Sequence, residues 1–222
     1  MQDAGKDDFT LAHYENCIET AIKKGYSFFK MNELDSALKS NMSIIMRHDV
    51  DTQIDKAVEI AQIEKNKNIE STFFIRFHSH AYNPMCLRDA YKIKEISRLG
   101  HEIGLHYEAD YYSIVNSDFN RGLLTEINML KDITGCNIIS VAPHEPTRSG
   151  INKITNSVCK ELGIKYQAYD DIFLKNFKYI SDSSCRWRDG SMHYHIDNNT
   201  SNKLYILTHP YWWYYNSPIE NY

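Results

Sequence analysis

The sequence lacks any stretch close to the ~18 consecutive apolar residues that a membrane-spanning helix needs. Its opening residues, Met1-Gln2-Asp3-Ala4-Gly5-Lys6-Asp7-Asp8, are polar and acidic and hold no apolar secretion segment, so a cytoplasmic location is expected. Cysteines are few. Cys17, Cys86, Cys136, Cys159 and Cys185 are odd in number and widely spaced, with no C-x-x-C pair. That pattern argues against a disulfide framework or a thiolate zinc site and favours a reducing compartment. Runs of Arg or Lys are missing and the formal charge is only -4, which argues against a nucleic-acid partner. No glycine-rich phosphate loop follows an early strand, and no linker, repeat or low-complexity segment divides the chain. At 222 residues it reads as one domain, 1–222, with 1–42 a helical extension packed on it. A chain of this length buries roughly 70% of its unfolded surface and needs no covalent staples.

Histidine and tyrosine, by contrast, are plentiful, at 10 and 16 residues. Three segments carry carboxylates or imidazoles at the end of an apolar run: Ile44-Ile45-Met46-Arg47-His48-Asp49-Val50-Asp51, Gly100-His101-Glu102-Ile103-Gly104-Leu105-His106 and Tyr205-Ile206-Leu207-Thr208-His209-Pro210. Apolar runs closed by capping residues read as buried strands, and polar groups at the carboxyl ends of parallel strands form the usual site of an α/β enzyme. Alternation places Arg47, Asp49 and Asp51 on one face. Neighbouring carboxylates repel and are costly to desolvate unless a cation lies between them or one holds a proton. One divalent ion, zinc by preference, held by Asp51 and His106 accounts for the cluster. Asp49 is then left to take a proton from water.

The periodicity predicts a helix over 10–24 and an extended piece over 26–30. A strand over 43–48 follows, then a helix opened by the capping-box-like Thr52-Gln53-Ile54-Asp55. Further strands are expected at 71–77, 101–106, 137–142 and 164–168, and helices at 88–99, 118–134 and 151–162. The last third reads as β-rich, with strands at 177–181, 191–196 and 203–208. Strand–helix alternation means βαβ units and a parallel sheet, here an irregular (β/α) barrel.

From about residue 43 onward these segments resemble the polysaccharide deacetylase superfamily, carbohydrate esterase family four and its relatives. The nearest likeness is to a bacterial surface-polysaccharide deacetylase subgroup whose first motif reads Arg-His-Asp-Val-Asp, as at 47–51, followed by a Thr-aromatic-Phe strand, as at Thr72-Phe73-Phe74. The resemblance implies a barrel of the deacetylase type. It makes Asp49 the catalytic base, Asp51 and His106 metal ligands and His209 the general acid. The wider family has a second histidine four residues after the first; here that position is Asp110. Asp110, Glu108 and His144 are the candidates for a third ligand, and His144, at the end of the fourth strand, is favoured. Asp182 and Trp187 stand for the family's Asp-Trp motif, and an arginine-proline motif is not evident.

In chemical terms, Arg47 would hold Asp49 in place and lower its pKa, and Asp182 would keep His209 charged. Trp187 and the run Tyr211, Trp212, Trp213 would offer flat faces to a sugar, with the loop 107–114 as the opposite rim. The expected reaction is removal of an N-acetyl group from an amino sugar, carried on a nucleotide, a lipid or a glycan, in surface-polysaccharide synthesis. Plainer roles fall to His101, a strand-start group bonding a carbonyl, to His78 and His80 in a solvated loop, and to His193 and His195 as polar strand positions. Two rival readings stay open: a carbohydrate binder that has lost a ligand, and a metal amidase or deformylase acting on a non-sugar substrate.

Overall fold

The structure is a computed structural model that describes residues 9–115, 118–146 and 154–216. Thr10 caps α1 (Leu11–Lys23) by accepting from the His13 amide. β1 (Ser27–Phe29) follows, then a 3-10 turn (Met31–Glu33) and α2 (Leu34–Lys39). β2 (Ser43–Val50), α3 (Ile54–Asn66), β3 (Thr72–Ile75), α4 (Leu87–Arg98) and β4 (Glu102–Tyr107) form the first βα repeats. After α5 (Ala109–Ile114) and α6 (Phe119–Thr134) come β5 (Ser140–Pro143), α7 (Asn156–Leu162) and β6 (Tyr166–Gln167). The chain closes through α8 (Asp171–Asn176), β7 (Lys178–Ser181), α9 (Met192–Asp197) and β8 (Lys203–Thr208).

Among the described residues eight strands form one sheet, ordered β6-β5-β4-β3-β2-β8-β7, and every ladder is parallel. β1 and β3 share one edge of β2: Ser27–Phe29 pairs with its first residues and Thr72–Ile75 with its last. The segment before β2 is therefore part of the sheet rather than only a helical extension. The sheet curls into a half-barrel, and the Tyr205 hydroxyl on β8 reaches across its inside to the carbonyl of Ala168 (3.0 Å). No ladder joins β6 to β7 among the described residues.

Alternation sorts the core into two layers. Ile45, Phe74, Ala142, Phe173 and Tyr205 fill the inside of the curl. Ile44, Met46, Phe73, Ile103 and Leu105 face outward onto the helices. Gly104 is required on the inner face, because a Cβ there would lie 2.4 Å from the Phe74 ring and 2.9 Å from the Ser140 carbonyl. At the amino ends of the strands Glu102 accepts from Ser140 Oγ (2.5 Å), Thr72 Oγ1 (2.8 Å) and the Asn32 amide (3.1 Å), which closes the floor.

Three expectations need correction. Residues 191–196 are not a strand but mostly helix α9: Ser191 caps it by accepting from the Tyr194 amide, and His193 and Asp197 pair one turn apart. The last third is accordingly mixed rather than β-rich, with α8 and α9 alternating with β7 and β8. At the start of α3 the N-cap is Gln53, and no capping box forms there; its Oε1 accepts from the Tyr214 hydroxyl instead (3.0 Å). Of the helix expected over 151–162, residues 151–153 lie outside the described residues, and the helix itself begins after Thr155. No described helix is long and apolar enough to cross a membrane.

Candidate active site

Five strands deliver polar side chains to one rim at their carboxyl ends. β2 supplies Arg47 and Asp49, with Asp51 just beyond it, and β4 supplies His106. β5 leads into His144, whose amide donates to the Tyr107 carbonyl (2.8 Å) and so extends the ladder by one residue. β7 leads into Asp182 and β8 into His209.

Asp51, His106 and His144 converge: one ligand atom from each lies within 4.8 Å of the others. His106 Nδ1 lies 3.0 Å from the Ala142 carbonyl, an oxygen that can only accept. The proton is therefore assigned to Nδ1, which leaves Nε2 as a lone pair. That lone pair stands 3.2 Å from Asp51 Oδ1 and 3.7 Å from Asp49 Oδ2. Asp49 Oδ1, Asp51 Oδ1 and His144 Nδ1 are all buried without a hydrogen-bond partner. Buried polar atoms left without partners are costly, and a divalent cation that takes the lone pairs of the carboxylate and imidazoles removes the cost. The donor set, one carboxylate and two imidazoles, suits zinc and its first-row neighbours and matches a site with an open coordination position.

Burial alone would raise the Asp51 pKa, but His106, then His209 and His144, in their protonated forms outweigh it and hold the carboxyl well below its usual range, the positive charge that a bound cation would supply when His106 and His144 are neutral. Burial, with His106 beside it, pushes His144 down to about 4, so its imidazole is neutral and can ligate. His209 is pushed up to about 9: burial opposes its charge, but Asp182 first, then Asp51 and Asp49, outweigh that. Asp182 is fully buried and takes His209 Nδ1 at 2.6 Å, the His209 amide at 3.0 Å and the Trp213 indole N–H at 3.1 Å. His209 Nε2 consequently points inward, 3.8 Å from Asp51.

Arg47 is wholly buried. It donates to Asp49 Oδ2 (2.9 Å), Tyr205 (3.0 Å) and Tyr169 (2.9 Å) and is flanked by the rings of Phe74, Tyr169 and Tyr205. Asp49 thereby keeps one oxygen fixed and the other open. The cluster lines a cleft of about 890 Å3 that Tyr169, Tyr179, Arg188, Tyr211 and Trp212 also border.

The structure thus brings together Asp49, Asp51, His106, His144, Arg47, Asp182 and His209, with Tyr211 and Trp212 on the wall. Glu108 and Asp110 stand apart from the ligand cluster: Glu108 pairs with Arg76 (2.5 Å), and Asp110 lies on α5, bordering a neighbouring cleft. Two aromatics expected to touch substrate do not reach the cleft. Trp213 is fully buried and holds Asp182, and Trp187 stacks on Phe9 (6.0 Å). His78 is not simply solvated, since it pairs with Glu126 (2.7 Å) and stacks on Tyr111. His195 is buried on α9 between Thr200 and the Asp189 carbonyl. Tyr169 went unnoticed in the sequence, although its place just past a strand's carboxyl end marks it for this rim.

No protein-family profile and no curated protein matches the chain, whereas solved structures do. A variant of the peptidoglycan deacetylase of Bacillus subtilis aligns at TM-score 0.53 and 13% identity, over 81% of this chain and 79% of its own. That peptidoglycan deacetylase has the fold seen here. A Bacillus cereus polysaccharide deacetylase aligns at 0.51 and 15%, over 76% and 79%. A family 4 carbohydrate esterase of Bacillus anthracis aligns at 0.50 and 15%, over 86% and 75%. In this deacetylase fold the rim residues of the present chain occupy the carboxyl ends of the strands, where α/β enzymes place their chemistry.

Proposed function

We propose that the protein is a metal-dependent hydrolase that removes an N-acetyl group from an amino-sugar derivative in bacterial surface-polysaccharide synthesis. The observation that carries this reading is the set of buried acceptors on Asp51, His106 and His144, flanked by a base and an acid at the floor of a cleft. These three residues would hold the ion. The chemistry such an ion supplies when bound is Lewis-acid activation of a water and of an acyl carbonyl.

The remaining work falls to the chain. Asp49 Oδ1 accepts the proton of the attacking water, while Arg47 holds Oδ2 and fixes the carboxylate's orientation. His209 Nε2 donates a proton to the departing nitrogen, and Asp182 keeps the imidazole charged and aimed. Amines leave poorly as anions, so a positioned acid is what separates amide from activated-ester hydrolysis. Tyr211, at 6.1 Å from the His209 ring, and Trp212 give the leaving sugar a flat wall. A cleft of about 890 Å3 is roomy for a formyl or other small amide and fits a sugar with its carrier. A binding-only role would have no use for the His209–Asp182 pair.

The test is acetate release from N-acetylated nucleotide sugars and oligosaccharides by metal-stripped protein, with and without added zinc, cobalt or manganese. The proposal expects release only with metal. It fails if metal-loaded protein binds such sugars yet releases no acetate.

A further inference from the structure

A second group of metal-ligating side chains lies outside the cleft, where α1 packs against α9. His13 and Cys17 are four residues apart on α1 and so share one face. His193 projects from α9 toward them. Its Nδ1 lies 3.9 Å from Cys17 Sγ, and its ring stacks on His13 at 5.1 Å and 25°. One ligand atom from each of the three lies within 4.8 Å of the others. We propose that Cys17, His13 and His193 form a second zinc site, a structural clip between the first and the last helices of the described chain.

The orientation of His193 carries the argument further than proximity does. Its Nε2 bonds to Asp197 Oδ2 at 2.6 Å, one turn along α9. Carboxylates can only accept here, so the proton sits on Nε2 and the Nδ1 lone pair faces the sulfur. A carboxylate that orients a histidine by its outer nitrogen is the usual support of a metal ligand. A thiol–imidazole hydrogen bond involves two of the three residues, whereas a bound ion uses the second imidazole, His13, as well. Tetrahedral zinc with bonds of about 2.3 Å to sulfur and about 2.0 Å to nitrogen sets those atoms about 3.5 Å apart, so the gap closes by a few tenths of an ångström. Cys17 is 1% exposed and the histidines are half-buried, so the three ligand atoms sit under the surface of the α1–α9 contact. On binding, the Cys17 thiol gives its proton to solvent and the thiolate bonds the ion. Thiolate with two imidazoles selects zinc over calcium or magnesium.

This site and the one on the strand rim differ in one readable way: only this one contains sulfur. Full-length protein stripped with a chelator and titrated with cobalt(II) should develop the near-ultraviolet sulfur-to-cobalt charge-transfer absorption. That absorption should persist in Asp51→Ala and vanish in Cys17→Ser. His193→Ala, at a half-exposed position, should abolish it even if Cys17→Ser folds poorly. Asp197→Asn should weaken cobalt affinity about 10–100-fold without removing the signature. The proposal is overturned if no such absorption appears, or if it survives both Cys17→Ser and His193→Ala.

Discussion

β2 sends alternate side chains of Arg47-His48-Asp49 to opposite faces, and a polar cluster grows on each. On the outer face His48 meets Glu64, whose carboxylate accepts from Tyr14 (2.6 Å), from His48 (3.0 Å) and from Ser71 (2.5 Å). Thr208 satisfies the other nitrogen of His48 (2.7 Å), and the Ser71 amide and the Ala61 carbonyl satisfy His101. Every polar side-chain atom of Glu64, His48 and His101 has a partner. On the inner face, where carboxylates and imidazoles also meet, the buried atoms Asp49 Oδ1, Asp51 Oδ1 and His144 Nδ1 have none. Buried carboxylate–imidazole clusters are therefore no sign of a site by themselves. A closed set of hydrogen bonds holds the fold, and a set of buried polar atoms without partners is where a ligand is to be sought.

The sharpest way to break this contrast is one substitution on each face. Asp49→Asn keeps shape but cannot accept a proton, so acetate release per folded chain should fall by ~10²–10⁴, beside the stability lost when buried Arg47 loses its counter-charge. Glu64→Ala should lower stability alone. It removes the charge that His48, Tyr14 and Ser71 all bond, and should cost about 3–5 kcal/mol of unfolding free energy in denaturant titration. The folded fraction should keep its turnover per bound metal. If Glu64→Ala lowers turnover as Asp49→Asn does while the fold survives, the division between the faces fails.

Smaller effects follow from packing and from pH. Gly104→Ala drives a methyl into Phe74 and the Ser140 carbonyl beneath the inner cluster, and should cost about 1–3 kcal/mol. The Glu64 pKa is lowered: burial would raise it, but His48, His101 and Ser71 outweigh burial. A depressed folded pKa contributes stability that is fully present above the unfolded value of about 4.3. It is lost as pH falls through the lower, folded value. Relative to wild type, Glu64→Gln should therefore flatten the acid side of the stability–pH curve and leave the neutral side parallel.

Much of the sheet was legible because long apolar runs at 43–48 and 203–208 end in turn or capping residues. Short helices were not. α2, α5 and α8 each span six residues, too few for a 3.6-residue period to stand out, and α9 hid because His193 and His195 mimic strand alternation. The site's strand-end residues could be read from position, since Asp49, Asp51, His106 and His209 close apolar runs. Which of His144, Asp110 and Glu108 joins them could not, because that depends on the Arg76–Glu108 pair and on where α5 turns away. Trp213 shows the same limit: a run of aromatics does not reveal which ring faces inward to hold Asp182. His13, Cys17 and His193 meet only through helix packing, which no spacing rule for cysteines reports.

The most direct test is the zinc content of the Cys17→Ser protein, in which the one thiolate of the second cluster is removed and only the strand-rim cluster is left to bind tightly. The account predicts close to one zinc per chain. It predicts almost none when Asp51→Ala or His106→Ala is added, and an unchanged value when Glu64→Gln is added. Zinc that stays in the Asp51→Ala and His106→Ala proteins, or an absence of zinc from Cys17→Ser itself under saturating metal, would contradict it.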